Sequence, residues 1–487
     1  MGTDAPDAGA TAASAAPDAA PAASTAPATG RLSAATISRY AIGSLGTGGF
    51  ATLPGLVLTY YLTDSLGVAA IVAGLVITLA KVWDVVIDPV IGALTDRDLA
   101  RHGTRRRLMV IGGASIPVLF ALTFAVPPAL GPAIGAAWVF VAFLLTATAF
   151  SLFQVPYIAL PAELTPRYDE RTRLLTWRVV VLTLAILLFG AGGPALRSRV
   201  SDDPVIGYLV MGVVAGLTIG IGMLVATTVA RRPVTAGPSG NVVPVRTDAL
   251  RASGTGIRHH YAAGINALRR SRPFRMLLGT FVLQALATGL MLAGAQYVAT
   301  WVLRSETAVE LLFVALIAPA LLAAPAWGVT ARRFGKERIF AIASTVFAIA
   351  AVSIVGVLWA PGEWIYVPVG IAGIAYAGMQ SLPMAMLPDV ISHDEHANGP
   401  GHAGAFSGVW TAGETVGFAL GATTLSIILA VTGYVSSTAA ESVTQPDAAV
   451  TGIALSFSVV PAVLIVLSLL TLSRYTLRRS DIESLGV

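Results

Sequence analysis

Lys81, Asp84 and Asp88 stand inside an apolar run, from about Gly67 to Leu94, that is long enough to cross a bilayer. A charge near the bilayer centre costs at least ~2.5–3.5 kcal/mol, so such residues face a protein interior or an aqueous cavity and have partners. On a helix, spacings of three, four and seven put all three on one face. Two carboxylates against one ammonium leave one negative charge unmatched. A buried, unmatched carboxylate binds a cation or takes up a proton, and either event couples ion binding to the state of the helix. A closed structural salt-bridge cluster is the alternative reading of the same three residues.

Other polar side chains fall inside apolar runs. Glu414 is the fourth clear intramembrane ionisable residue, and Trp410 lies one helical turn before it. An indole beside a carboxylate can serve a small solute as an apolar surface and an acceptor. Gly413 and Gly417 share a different face and suit close helix packing. Ser151 and Gln154, three apart, offer hydroxyl and amide oxygens to a cation or a solute, with Tyr157 one turn on. Gln284, Gln296, Tyr297, Tyr376 and Gln380 are weaker candidates for the same cavity. The six histidines lie in or beside loops, and His393-Asp394-Glu395-His396 lacks the spacing of a zinc helix. There are no cysteines and no phosphate-binding loop, so thiol chemistry and ATP hydrolysis by this chain are excluded. An enzyme would need a nucleophile or metal cluster at one membrane face, and the sequence offers none.

The elements that must position these residues follow from composition. Of 487 residues, 55% are hydrophobic and 12% charged, whereas soluble domains carry roughly 25% charged. Twelve apolar runs of helix length centre near 37–62, 67–94, 107–127, 135–162, 174–194, 206–229, 274–301, 308–330, 338–359, 364–388, 404–432 and 449–473. Prolines 54, 89, 117, 156, 319, 325 and 383 interrupt them, as in transport helices that bend. Of the 31 Lys and Arg residues, 27 fall on one side of this topology, which makes both termini cytoplasmic and explains the net charge of +5 without nucleic acid. Residues 1–33 read as a disordered cytoplasmic tail, 34–230 and 274–475 as two six-helix bundles, 231–273 as a basic cytoplasmic linker and 476–487 as a second tail. No sequence repeat relates the halves beyond the matching count. The expectation is an all-α, multi-pass protein with its ligand site near the midplane between the bundles.

The pattern Asp84-xxx-Asp88-Pro89-xx-Gly92-xxx-Asp96-Arg97, with a base three before the first Asp, resembles the second helix of the glycoside–pentoside–hexuronide:cation symporters of the major facilitator superfamily. Tyr60-Tyr61-Leu62-Thr63-Asp64, Val155-Pro156-Tyr157, Asp169-Glu170-Arg171-Thr172-Arg173 and Leu387-Pro388-Asp389 are also similar, so the resemblance covers most of residues 35–475. It implies the 12-helix major facilitator fold, alternating access, a monomer in the plasma membrane, and no cofactor beyond a coupling ion, H⁺ or Na⁺. It implies that Asp84 and Asp88 hold that ion with Ser151, that Lys81 stands at the site or gate, and that Arg178 matches a basic residue at the start of helix 5. Gly92, Asp96 and Arg97 of the motif are expected to serve gating, and the residues themselves make Gln154, Tyr157, Arg178, Gln380, Trp410 and Glu414 the expected substrate contacts.

The departures bear on what is carried. The cation-site Asn one before the second Asp is Ile87 here, which removes an oxygen that sodium would use and favours protons. Melibiose-type permeases use an Asp in helix 1 and another in helix 4, where this chain has Gly48 and Gln154, and a Lys in helix 11 is replaced by Glu414. A galactoside site is therefore not conferred. The expected function is cation-coupled symport of a small organic solute such as a sugar, glycoside or sugar acid. A lysophospholipid or other amphiphile transporter on the same scaffold is the alternative.

Overall fold

The computed structural model describes residues 31–165, 168–201, 203–230, 266, 268–305, 307–398, 403–438 and 443–477. The expected tails and the linker fall largely outside these residues. Each of the twelve apolar runs is helical. In the first half α1 is Ala34–Asp64, α2 Ala70–His102, α3 Arg106–Thr123, α4 Gly131–Leu164, α5 Tyr168–Val200 and α6 Pro204–Thr227. In the second half α7 is Arg272–Tyr297, α8 Ala308–Phe334, α9 Lys336–Ser353, α10 Tyr366–Asn398, α11 Ala403–Val431 and α12 Asp447–Leu472. Most of the prolines do not break their helices. Interruptions come instead at Gly43 in α1, at Ser458 in α12, and at a π-helical turn, Val298–Val302, that extends α7.

Helix length follows from the solvent. At 1.5 Å per residue, the 33 residues of α2 or α10 reach roughly 50 Å against a hydrocarbon core of about 30 Å. The excess of both protrudes on the face that carries Ala34 and Leu472, called here the near face. On α2, Leu75, Leu79, Val82 and Val86 form an exposed apolar stripe, while Ala73, Ile77, Ala80 and Asp84 are buried. In water that stripe would be a liability, and in lipid it is the solvated surface.

The halves repeat each other in packing, which the sequence reading did not detect. Helices α1 and α5 pack as α7 and α11 do, α2 and α4 as α8 and α10, α3 and α6 as α9 and α12. Two sequence signals carry the repeat. Arg101-His102-Gly103 at the end of α2 matches Arg333-Phe334-Gly335 at the end of α8, and both glycines hold positive φ, 67° and 95°. Pro156 and Pro161 in α4 have the same spacing as Pro383 and Pro388 in α10. Small residues let the helices close: Gly417 of α11 stands where a Cβ would meet the Ala285 side chain of α7 at 2.7 Å.

Between the halves, α2 packs on α11, α5 on α8 and α1 on α7. The bonds that join them lie in the far part of the molecule, from Thr78 within the membrane to the far face. Thr78 shares a hydroxyl hydrogen bond with Thr423, Arg199 pairs with Glu310 at 2.8 Å, and the Ser437 amide donates to the Thr63 carbonyl at 2.9 Å. Beside them, Gly74 leaves so little room that a Cβ would lie 2.5 Å from that of Ser426.

This packing makes a stability prediction. A Cβ at Gly373 of α10 would overlap the Leu316 carbonyl of α8, whereas one at Gly408 meets nothing within 4 Å. Gly373→Val should cost at least ~1–3 kcal/mol and lower the thermal unfolding temperature of the purified protein. Gly408→Ala should leave it unchanged.

Candidate functional site

The α2 cluster forms as the spacing requires. Lys81 Nζ lies 3.0 Å from Asp84 Oδ2, with the two side chains 25% and 13% exposed. The ammonium also sits over the rings of Phe50 in α1 and Phe143 in α4, at 5.1 and 5.8 Å. Aromatic faces favour the cation where water is scarce. Asp88 is one turn nearer the near face, and Ser151 of α4 lies against its carboxyl. Asp84 Oδ1 and Asp88 Oδ1 are both buried without a hydrogen-bond partner. Each acid thus keeps an acceptor oxygen free for a proton or an ion. Trp83 belongs to another face and donates to Thr148 of α4 at 2.9 Å, which ties α2 to its neighbour.

The other residues of the first half line α1, α4 and α5. Gln154 Oε1 accepts from Thr47 at 2.8 Å. Tyr157 is fully buried, donates to the Tyr40 carbonyl at 2.8 Å and lies 3.1 Å from the Ser44 hydroxyl. The Arg178 guanidinium rests over the Tyr157 ring at 5.4 Å, and its Nε is buried without a partner. These contacts hold α1 against α4 and keep one cation on α5 with no carboxylate beside it among the described residues.

In the second half, Glu414 makes no hydrogen bond or ion pair among the described residues. Nearby is Tyr376 of α10, whose hydroxyl accepts from Gln380 at 2.8 Å. Glu414 forms no ion pair with the α2 cluster among the described residues. Trp410 is 2% exposed and stacked on Phe281 of α7 at 4.4 Å, so in this conformation its ring packs against α7. Gln284 is also internal, since it donates to Ser344 and Ser468 at 2.9 and 3.1 Å. Near Tyr376 a cavity of about 200 Å³ lies between the halves, lined by Ala51, Ile186, Met291, Phe313, Leu316 and other mostly apolar side chains.

At the near face, Asp96 accepts from Arg105 at 2.8 Å, and Arg105 also reaches Glu163 of α4 at 2.6 Å. Burial opposes the Arg105 charge, but Glu163 and Asp96 outweigh it and move its pKa up. Arg97 is exposed, and Gly92 sits loosely against Val155. The second half has the counterpart, Lys336 to Asp389 at 2.6 Å. Each of these bonds lies within one half.

Sequence reasoning missed an acid that lies between the halves. Asp64, at the far end of α1, accepts from Tyr434 and Thr63, both at 2.5 Å. Its place in the Tyr60–Asp64 motif was noted, but its position at the edge of the apolar run hid its burial between the halves.

A family model described as MFS/sugar transport protein matches residues 39–479. The chain belongs to this family. It is 26% identical to the putative glycoside/cation symporter YagG of Escherichia coli over 88% of this chain and 89% of that protein. It is also 26% identical to the mouse sphingosine-1-phosphate transporter MFSD2B, over 76% of each chain. Among solved structures, the D-xylose-proton symporter superposes with a TM-score of 0.64 at 14% identity, over 91% of this chain and 98% of that one. The resemblance to glycoside–pentoside–hexuronide:cation symporters is borne out, as is the two-bundle major facilitator fold. This MFS sugar-transport relative is a multi-pass membrane protein whose family and fold are those of transporters.

The geometry of the α2 cluster carries a coupling-energy prediction. Lys81→Met strands Asp84 as an uncompensated carboxylate and should destabilise the protein, whereas adding Asp84→Asn should restore part of the loss. A double-mutant cycle read by thermal or denaturant unfolding should give a coupling of about 0.5–3 kcal/mol. Simple additivity would mean the 3.0 Å pair does not interact.

Proposed function

We propose that this protein is a secondary active transporter of the plasma membrane. It works as a monomer with both termini in the cytoplasm and moves a small organic solute together with H⁺ or Na⁺ by alternating access. The near face is then cytoplasmic and the far face external. The observation that carries the reading is the pair of acids on α2 facing one ammonium, each acid with a free buried oxygen. Binding one cation there removes the unmatched charge and lowers the cost of moving α2 against α11. Asp84, Asp88 and Ser151 hold the ion, with Lys81 as the counter-charge at the site. Ile87 beside them offers no oxygen, which favours the proton. Solute contacts come from Gln154, Tyr157 and Arg178 in the first half and from Gln380, Trp410 and Glu414 in the second. The names of the relatives support a sugar, glycoside or sugar acid as the solute. Asp96 and Arg97, with Gly92, work the cytoplasmic side.

The apolar cavity favours a second reading, in which the solute is an amphiphile such as a lysophospholipid. The mouse sphingosine-1-phosphate transporter supports it.

Uptake into proteoliposomes tests both. With a panel of sugars, sugar acids and lysolipids, a proton or sodium gradient should drive one class uphill. Asp84→Asn and Asp88→Asn should each abolish uphill uptake and leave downhill flux or exchange. Concentrative uptake by both variants would remove the coupling role. If protons are the coupling ion, Ile87→Asn should add a sodium response that the native protein lacks.

A further inference from the structure

Asp64 is a half-buried acid between the halves that the coupling mechanism does not use. We infer that it is a second proton-binding site, separate from the α2 pair, and that protonating it from the far compartment releases the far-side closure. The inference rests on the alternating-access reading above.

The hydrogen bonds around Asp64 have a direction. Trp301 of the α7 extension has an indole N–H that can only donate, and it gives to the Tyr434 hydroxyl at 2.8 Å. Tyr434 then gives its own proton to Asp64 Oδ1 at 2.5 Å. On the other oxygen, Thr63 gives to Oδ2 at 2.5 Å, so the Tyr297 hydroxyl, 2.7 Å from Thr63, must be the donor there. Two relays therefore run from the second half into one carboxylate of the first half, and both end on an acceptor. Charge-assisted bonds of this kind are about twice as strong as neutral ones.

A proton on Asp64 weakens this junction. The acid's O–H must now donate, Thr63 can accept it by turning its own proton to the Thr59 carbonyl 3.2 Å away, and the bond from Tyr434 across the halves loses its charge assistance. Asp64 is half-buried, so a proton can reach it from the far face.

The groups that face it set its response. From α1 itself come Tyr60 and Thr63, from α5 Arg197, from α6 Tyr208, from α7 Tyr297 and Trp301, and after α11 Tyr434. Arg197 donates to the Tyr208 hydroxyl at 2.9 Å and lies 5.9 Å from the Tyr60 ring, so it is the cation that favours the ionised acid. Arg199 and Glu310, 2.8 Å apart, form a second bond across the same closure.

The chain has no cysteine, so two introduced ones carry defined labels. Spin labels on Val200→Cys and Trp359→Cys, exposed at the far ends of opposite halves, report the separation of the halves by double electron–electron resonance on the full chain. Lowering the pH from about 8 to about 5 should shift the distances longer. Asp64→Asn should show the long distances at both pH values, and Tyr434→Phe should show part of the shift. Asp84→Asn with Asp88→Asn should keep the pH response. A distribution that ignores pH would overturn the inference and leave the α2 coupling untouched. So would a response that survives in Asp64→Asn, or one that is lost instead in Glu310→Gln or in the α2 variant.

Discussion

Two carboxylates and one ammonium share a face of α2, and their charges do not cancel. In a medium where each buried charge costs several kcal/mol, this imbalance is the constraint that the surrounding structure answers. Phe50 and Phe143 accept the ammonium on their rings, Ser151 approaches Asp88, and Trp83 pins the helix to α4. The lipid-facing side of α2 is left wholly apolar. The helix thus carries its charges toward the protein interior, and the proposed coupling cation would complete what Lys81 leaves undone.

The fold supplies the lever. Each half is a tightly packed unit with its own near-face clamp, Asp96–Arg105–Glu163 in one and Lys336–Asp389 in the other. Bonds between the halves, by contrast, collect in the far part of the molecule around Asp64, Thr78, Arg199 and Ser437. On the proposed alternating-access reading, such an arrangement would let the halves move as bodies, because breaking a few interface bonds costs less than deforming either packed bundle. Glycines on α11 give close contact to α7, so the bundle core resists the motion that the interface permits.

Much of this was legible in the sequence. Twelve apolar runs became twelve helices because no other spanning structure satisfies the backbone in lipid. The α2 acids were legible because charges in an apolar run have few innocent explanations. What escaped had physical causes. Asp64 borders a loop, and sequence position does not reveal that Tyr434, 370 residues away, covers it. Trp410 shares a helical face with Glu414, but periodicity cannot say that Phe281 occupies the ring surface. The repeat between halves is preserved in helix packing and survives in sequence mainly where geometry demands a residue, as at Gly103 and Gly335 with positive φ. Prolines marked bends that the helices absorbed, because neighbouring helices and side chains can satisfy the freed carbonyls.

The central claim is that the unmatched negative charge on α2 is neutralised by the transported cation in each cycle. It is tested most directly by the accumulation ratio at static head, measured in proteoliposomes for a neutral transported solute while the membrane potential is stepped at fixed ion concentrations. One net charge per cycle is worth ~2.3 kcal/mol per 100 mV. The account therefore expects the ratio to rise roughly fiftyfold for each 100 mV made negative inside. A ratio that stays flat across the potential, in the presence of protons and of sodium alike, would contradict it.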